Sequence, residues 1–456
     1  MIATINPATG EHIAEYSFHS PEEVEQRIAA ADRAQRWWRK KPTAERVALL
    51  PRVAEALRLH QSRYAALITE EMGKPITEAE AEIEKCASTC EFYAGAAGRY
   101  LDDVIVKSSA TESRVVFEPL GVVLAIMPWN YPFWQFIRFA APALAAGNGI
   151  VLKHANNVSG CAQALEALFR EVGAPEGLVS TLLIDAADIE GVLADVRVVA
   201  VTFTGSTQVG KIVAAQAGAL MKKQVLELGG SDAFIVLPDA DIELAAKTAV
   251  KARFANSGQS CIAAKRFIVH EAVADRFVAL FSAGVSTLKM GDPTHRATQI
   301  GPMARENLLD NLHSQVERSV REGAVLLIGG RAKEGEGYYY LPTVLDHVRP
   351  QMTAALEETF GPVAAVIRVR DEQEAIDVAN ATEFGLGAAV WIGSNERGYA
   401  VARQIEAGAV FVNGLVVSDA RLPFGGIKQS GYGRELGEFG IREFTNIKTV
   451  WVGPAI

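Results

Sequence analysis

Val122-Val123-Leu124-Ala125-Ile126-Met127-Pro128-Trp129-Asn130-Tyr131-Pro132 is a short, neutral, partly β-branched run that ends in a turn. Without polar alternation, such a run reads as a strand buried on both faces, as in a parallel sheet covered by helices. Three more runs repeat the pattern: Gly149 to Lys153, Leu178 to Ile184 and Val198 to Phe203. Helical periodicity fills the gaps, near 134–146, 158–172, 187–195 and 208–220. Strand and helix in alternation predict a doubly wound α/β domain. After Gly229-Gly230 the alternation restarts, with strand candidates at Ala233–Leu237, Arg266–His270, Ala324–Ile328, Val363–Val369, Leu386–Ile392 and Ala409–Asn413. Helices near 241–255, 271–288, 303–322, 372–380 and 395–407 separate them. This predicts a second α/β domain, with the glycine pair near a hinge and a ligand pocket at the interface.

The first hundred residues are mostly helical in pattern. Ser20-Pro21-Glu22-Glu23 combines a capping hydroxyl, a first-turn proline and a glutamate that can cap back. Helical stretches follow at 43–60, 61–72 and 76–98, and Pro51 is expected to kink or divide the first of these. Residues 101–118 alternate as a hairpin would, and 443–453 read as a short C-terminal strand.

The chain has 456 residues, 49% of them hydrophobic, enough for two or three domains with sizeable cores. Its 45 basic and 54 acidic residues leave a net charge of -9, and there is no long basic run. Nucleic acid and anionic membranes are therefore poor partners. The four cysteines, Cys86, Cys90, Cys161 and Cys261, do not make a disulfide framework, so a reducing compartment fits. Cys86 and Cys90 can share a helix face, but they lack further metal ligands nearby and read as core. There is no signal-peptide pattern and no bilayer-length apolar window, so a soluble cytoplasmic protein is the default.

Cys261 is different. It closes Asn256-Ser257-Gly258-Gln259-Ser260-Cys261, a small polar turn between two apolar segments. A cysteine presented on a turn can act as a nucleophile if its thiolate is favoured and a neighbour handles protons. Upstream lie Pro128-Trp129-Asn130 and Glu227-Leu228-Gly229-Gly230, and downstream Glu357-Glu358-Thr359-Phe360-Gly361-Pro362. In this order and spacing the fragments resemble the aldehyde dehydrogenase superfamily over nearly the whole chain.

The resemblance implies an aldehyde dehydrogenase-like α/β fold: two doubly wound domains plus a small β bridging and oligomerisation element. Residues 1–100 and 119–229, with part of 420–442, would bind the dinucleotide, and 230–419 would form the catalytic domain. Residues 101–118 and 443–456 would pair subunits into a homodimer or homotetramer.

No Gly-x-Gly-x-x-Gly follows the first parallel strand. Phe203-Thr204-Gly205-Ser206-Thr207 stands instead, a strand, a glycine and a helix start that suit a phosphate. By resemblance, Gly205 and Ser206 lie beside the cofactor pyrophosphate and Lys153 reaches the adenosine ribose. Trp129, Glu358 and Phe360 are further cofactor residues, the last two at the nicotinamide end. NAD-preferring relatives often carry a glutamate three residues after that lysine, and here Asn156 stands there. A carboxylate repels a 2′-phosphate and an amide does not, so NADP is the expected cofactor, with NAD as a second.

For the chemistry, Cys261 is the nucleophile candidate, Asn130 an oxyanion donor and Glu227 the general base. Read alone, Pro-Trp-Asn-Tyr-Pro is an ordinary turn, Glu227 a rim carboxylate and the paired glutamates a solvated helix end. Asn6-Pro7-Ala8-Thr9-Gly10 and residues 128–135 look most like succinate-semialdehyde dehydrogenases. Such a substrate carries a carboxylate, which needs a cation and hydroxyls. Arg138, in an apolar stretch, is the cation candidate or else half of a structural salt bridge. Trp134, Ser260 and Ser418 complete the substrate residues. Ile262 and Ala263 follow Cys261, so no second cysteine stands beside it to form a local disulfide. Three alternatives stay open: glutarate semialdehyde as substrate, a silent family member that only binds, and a cysteine hydrolase with a histidine base.

Overall fold

The computed structural model describes residues 1–454, so the last two residues of the expected 443–456 element lie outside it. The run that opened the sequence becomes the strand Val122–Met127, buried along its whole length. It sits inside a six-stranded sheet. The spatial order is Gly431–Tyr432, Lys223–Glu227, Val198–Thr204, Val122–Met127, Gly149–His154 and Val179–Thr181. All neighbours are parallel except Gly431–Tyr432, which adds antiparallel to Lys223–Glu227. From Val122–Met127 the chain winds outward through Gly149–His154, and then returns to the other side through Val198–Thr204. The switch point between these directions is where such sheets open a crevice at their carboxyl ends.

A seven-stranded sheet follows, in the order Val325–Ile328, Thr343–Asp346, Val363–Val369, Ala264–His270, Asp232–Val236, Gly387–Trp391 and Ala409–Val412. It is parallel except for the antiparallel edge strand Val325–Ile328. That edge run reads from sequence like its buried neighbours, yet Val325, Leu326 and Leu327 are exposed. Only Leu228-Gly229-Gly230-Ser231 separates Glu227, the last residue of one sheet's strand, from Asp232, the first of the other's. The carboxyl edge of the first sheet therefore meets the amino edge of the second. A Cβ on Gly229 would lie 2.5 Å from a Glu358 oxygen, and one on Gly230 would lie 2.9 Å from the Cys261 carbonyl. Glycine is what lets these backbones close up.

The third sheet pairs Thr445–Val452 with Glu112–Pro119, and Glu112–Pro119 with Val104–Ile105, all antiparallel. Ile105, Ile447, Trp451 and Val452 leave apolar surface in solvent. The first hundred residues open with a hairpin, Ile2–Ile5 against His12–Tyr16, which the helical pattern of this region does not announce. Pro51 does not kink a helix. The break falls at Ala48, and Pro51 occupies the first turn of Leu49–Leu59, where no N–H is required. The helix Ile76–Leu101 packs on the buried helix Trp134–Ala146. Among the described residues no helix is long and apolar enough to cross a membrane.

Candidate active site

The parallel strands deliver their chemistry at one edge. Trp129 and Asn130 follow Val122–Met127, Lys153 nearly ends Gly149–His154, Gly205-Ser206 follow Val198–Thr204, and Glu227 ends Lys223–Glu227. Facing them from the second half of the chain is the turn that carries Cys261.

This turn is strained and firmly held. Asn256, Ser257 and Gly258 have φ of 53°, 53° and 72°, three left-handed residues in a row. Buried groups fix each of them. The Asn256 N–H donates to Glu78 Oε2 at 2.6 Å, and Ser257 Oγ donates to the Gly301 carbonyl at 3.1 Å. The wholly buried Arg253 donates to the carbonyls of Gly258 at 3.0 Å, Thr359 at 3.1 Å and Ala264 at 3.1 Å. The wholly buried Lys265 donates to the carbonyls of Ser260 at 3.1 Å, Cys261 at 2.7 Å and Ala263 at 3.2 Å. With its carbonyls turned to two cations, the turn leaves the Cys261 N–H free. No hydrogen bond among the described residues uses it. Asn130 Nδ2 donates one N–H to the Gln259 carbonyl at 3.1 Å, which holds this amide against the same turn with a second N–H to spare.

Two cavities meet at Cys261. One, of 430 Å³, is lined by Trp129, Asn130, Lys153, Gly205, Ser206, Glu358, Phe360 and the cysteine itself. The other, of 460 Å³, is lined by Trp134, Arg138, Ser260, Ser418 and the cysteine again. Nearly every residue singled out from sequence thus falls on one of two surfaces that share one thiol. Two do not. Asn156 lines neither cavity and reaches the first through Lys153, whose Nζ donates to its Oδ1 at 2.8 Å. Glu227 is only 2% exposed and lies behind the first cavity's wall, where neither carboxylate oxygen has a hydrogen-bond partner among the described residues. Gly425 leaves it room, since a Cβ there would stand 2.7 Å from Glu227 Oε1.

Burial pushes the Cys261 thiol up to about 12, while Arg138 and Lys265 pull it the other way. The resting group is a thiol. Burial also raises Glu227 well above the usual carboxylate range, and the neighbouring Glu435 carboxylate adds to this. A buried acid held neutral in this way becomes a base strong enough for work near neutral pH.

Glu435 is a residue that sequence inspection passes over. It forms an ion pair with Arg138, both 3% exposed or less. The anion that a buried arginine demands is therefore supplied by the chain itself. Arg138 still lines the second cavity, its Nη2 has no partner among the described residues, and it stacks 4.6 Å from the Phe424 ring centroid. Glu435 lies in Gly433-Arg434-Glu435-Leu436-Gly437, where neither periodicity nor motif marks it.

A histidine does reach the first cavity. His154 accepts the Ala155 N–H at Nδ1, 3.0 Å away, so the ring proton sits on Nε2 and is donated to the Pro132 carbonyl at 2.9 Å. Burial lowers it to about 4. With both nitrogens committed to backbone, it is no proton acceptor for Cys261, and the hydrolase alternative loses its base.

The first cavity suits a dinucleotide. Ser206 caps the helix Thr207–Ala219 and leaves its N-terminus at the cavity wall, as a pyrophosphate requires. Thr204 Oγ1 lines the same wall, is buried, and has no partner among the described residues. Trp129 meets Phe360 edge-on at 5.7 Å between ring centroids, at the end nearer the nucleophile turn.

A nucleotide-sized cleft and a second, cation-bearing cavity joined at one cysteine make a site where a dinucleotide and a second ligand can meet beside one thiol. Residues 1–450 match the aldehyde dehydrogenase family, and the chain belongs to it. It is 49% identical, over 99% of each chain, to a probable succinate-semialdehyde dehydrogenase [NADP(+)] of Synechocystis sp.. It is 47% identical to a succinate semialdehyde dehydrogenase [NAD(P)+] of Escherichia coli, over 98% of this chain and 97% of the other. The succinic semialdehyde dehydrogenase of Streptococcus pyogenes, crystallised with NADP+, superposes with a TM-score of 0.97 at 37% identity and full coverage of both chains.

Two stability tests follow from this geometry. Gly258→Ala places a Cβ 2.3 Å from the Gly361 carbonyl at a left-handed position. It should destabilise the protein by about 2 kcal/mol or more and slow alkylation of Cys261. A parent-like unfolding midpoint with normal thiol reactivity would contradict the strained turn. Arg138→Met leaves the Glu435 charge buried alone and should lower stability by about 3–5 kcal/mol. Adding Glu435→Gln should recover most of that loss, as read by thermal unfolding of both variants.

Proposed function

We propose that the protein oxidises succinate semialdehyde to succinate, with NADP as preferred cofactor and NAD as a second. The observation that carries this is the position of Cys261, at the junction of a dinucleotide-shaped cleft and a cavity bearing cations and hydroxyls. The relatives from Synechocystis, Escherichia coli and Streptococcus pyogenes support both the substrate and the cofactor.

The residues divide the work as follows. Cys261 loses its proton to a base, and Glu227, raised by burial, is the group suited to take it. The sulfur attacks the aldehyde carbon, forming a C–S bond and an oxyanion. The free N–H of Cys261 and the spare N–H of Asn130 donate to that oxygen. A bound dinucleotide would supply the acceptor for the hydride that leaves the carbon. Collapse of the oxyanion gives a thioester on Cys261. Glu227, after passing the thiol proton to solvent, takes a proton from water, the water oxygen bonds to the carbonyl carbon, and the C–S bond breaks to release succinate and restore the sulfur. Glu227 must turn out of its buried position to reach that water. Trp129, Glu358 and Phe360 hold the reactive end of the cofactor. Gly205 and Ser206 hold its pyrophosphate, and Lys153 with Asn156 its ribose.

The domain roles follow the sheets. Residues 1–100 and 119–229, with part of 420–442, carry the cofactor, and 230–419 carry the nucleophile. The exposed apolar side chains of the three-stranded sheet at 101–118 and 443–454 fit a subunit interface in a homodimer or homotetramer.

Cys261→Ala should abolish aldehyde-dependent absorbance at 340 nm, and equal turnover would sink the thiol mechanism. Glu227→Gln should give at most one turnover and then stall at the thioester. In the parent, the steady rate should rise with pH through a point above the usual carboxylate range, because the base works only when ionised. That rise should vanish in Glu227→Gln. Asn156→Glu should shift the kcat/KM ratio from NADP toward NAD by about tenfold or more, since a new charge about 4 Å from the 2′-phosphate costs about 1–4 kcal/mol. An unchanged ratio would show that Lys153 and Asn156 do not read that phosphate.

A further inference from the structure

Three cations line the second cavity, and they are not equivalent. Arg138 spends its charge on Glu435. Lys251 is exposed to solvent, and the third cation is Lys85, on the helix Ile76–Leu101, which belongs to none of the sequence motifs. Its Nζ donates to Ser418 Oγ at 2.6 Å and lies 4.2 Å from the centroid of the Trp134 ring. The acids around it are engaged elsewhere. Glu82 pairs with the buried Lys74 and accepts the N–H groups of Phe133 and Trp134 at 2.9 and 3.0 Å. Glu84 pairs with Arg58, and Asp419 with Arg421. Glu78, which also lines the cavity, takes the Asn256 N–H, and burial raises its carboxyl above the usual range. Among the described residues no carboxylate lies within 4.0 Å of the Lys85 ammonium.

The geometry makes a ready fork for an anion. Ser418 accepts from Lys85, so its own O–H is free to donate, and the ammonium keeps N–H groups beyond the one used. With Arg138 paired to Glu435 and Lys251 out in solvent, Lys85 is the partly buried cation left to meet a ligand in the cavity. We propose that Lys85, together with the Ser418 hydroxyl, binds the carboxylate of the semialdehyde and sets the preference for it over uncharged aldehydes. This rests on the substrate assigned above, and it adds a residue from a helix that no motif touches.

A lysine in this role brings a pH signature that an arginine would not. Burial draws Lys85 down to about 8, Arg138 adds to the fall, and Cys86, Glu82 and Asp419 oppose it. In the free protein its charge is present below that pH and lost above it. The KM for succinate semialdehyde should therefore climb as pH passes about 8, and the KM for butanal should not share that climb.

The test is kcat/KM for succinate semialdehyde and for butanal, measured on both sides of that pH with the parent, Lys85→Met and Lys85→Arg. Lys85→Met should reduce the ratio of the two constants about 10- to 100-fold, mainly through KM, as expected for one charge-assisted hydrogen bond. Lys85→Arg should recover much of the ratio and lose the alkaline climb, because a guanidinium stays charged. Should Lys85→Met fail to fold, the pH profile of Lys85→Arg decides alone. A parent that prefers the semialdehyde while Lys85→Met keeps the parent's ratio overturns the role of Lys85 and leaves the substrate standing. An alkaline climb that persists in Lys85→Arg does the same. A parent with no preference for the semialdehyde overturns the substrate and this role together.

Discussion

Two buried cations hold the nucleophile's turn in a conformation it would not keep alone. Arg253 and Lys265 between them bind the carbonyls of residues 258, 260, 261, 263, 264 and 359. Three successive left-handed residues cost on the order of 1–3 kcal/mol each for the non-glycine ones, and the charge-assisted bonds offset this. Turning the carbonyls inward turns the Cys261 N–H outward. The proposed oxyanion site, that N–H together with the Asn130 amide, is thus a by-product of how the turn is anchored. The same Lys265 lies 3.6 Å from Glu358, so the anchor also touches the cofactor wall.

The helix Ile76–Leu101 has a comparable organising part. Glu78 takes an N–H of the nucleophile turn, and Glu82 takes two N–H groups at the start of the helix that carries Trp134 and Arg138. Lys85 reaches Ser418 from the chain's far end. Residues 78, 82 and 85 stand one turn apart on one helix face, so a single rigid rod fixes three separate loops around the second cavity. A loop-borne site held this way keeps its geometry as the cavities fill and empty.

Charge is distributed unevenly across the thiol. Toward the cofactor, Lys153 is drawn down to about 8 by burial, and toward the substrate Lys85 is drawn to a similar value. Glu227 and Glu435 stand behind, both raised by burial, with Arg138 between the carboxylates and the cysteine's surroundings. An anionic substrate and an anionic cofactor thus enter from opposite sides toward a centre whose own acids are held protonated or paired. Repulsion between the two ligands and the protein's acids is kept low by this arrangement.

Much of this was legible in the chain. The alternation of neutral runs and helical periods determined two mostly parallel sheets, because strands buried on both faces tolerate few polar residues. The turn chemistry of residues 256–261, the strand–glycine–helix step at 203–207 and the residues near 130 and 358 marked the site, because each motif is local and carries its own mechanism. The strand at 325–328 was legible as a strand, but its exposure and antiparallel pairing at the sheet edge were not. The N-terminal hairpin was too short to declare itself. Only the tertiary structure decided that Glu435 would answer Arg138, that Glu227 would lie wholly buried behind the cavity wall, and that Lys85 would face Ser418. Those are encounters between residues far apart in the chain, and both their charge states and their partners depend on burial that no local pattern encodes.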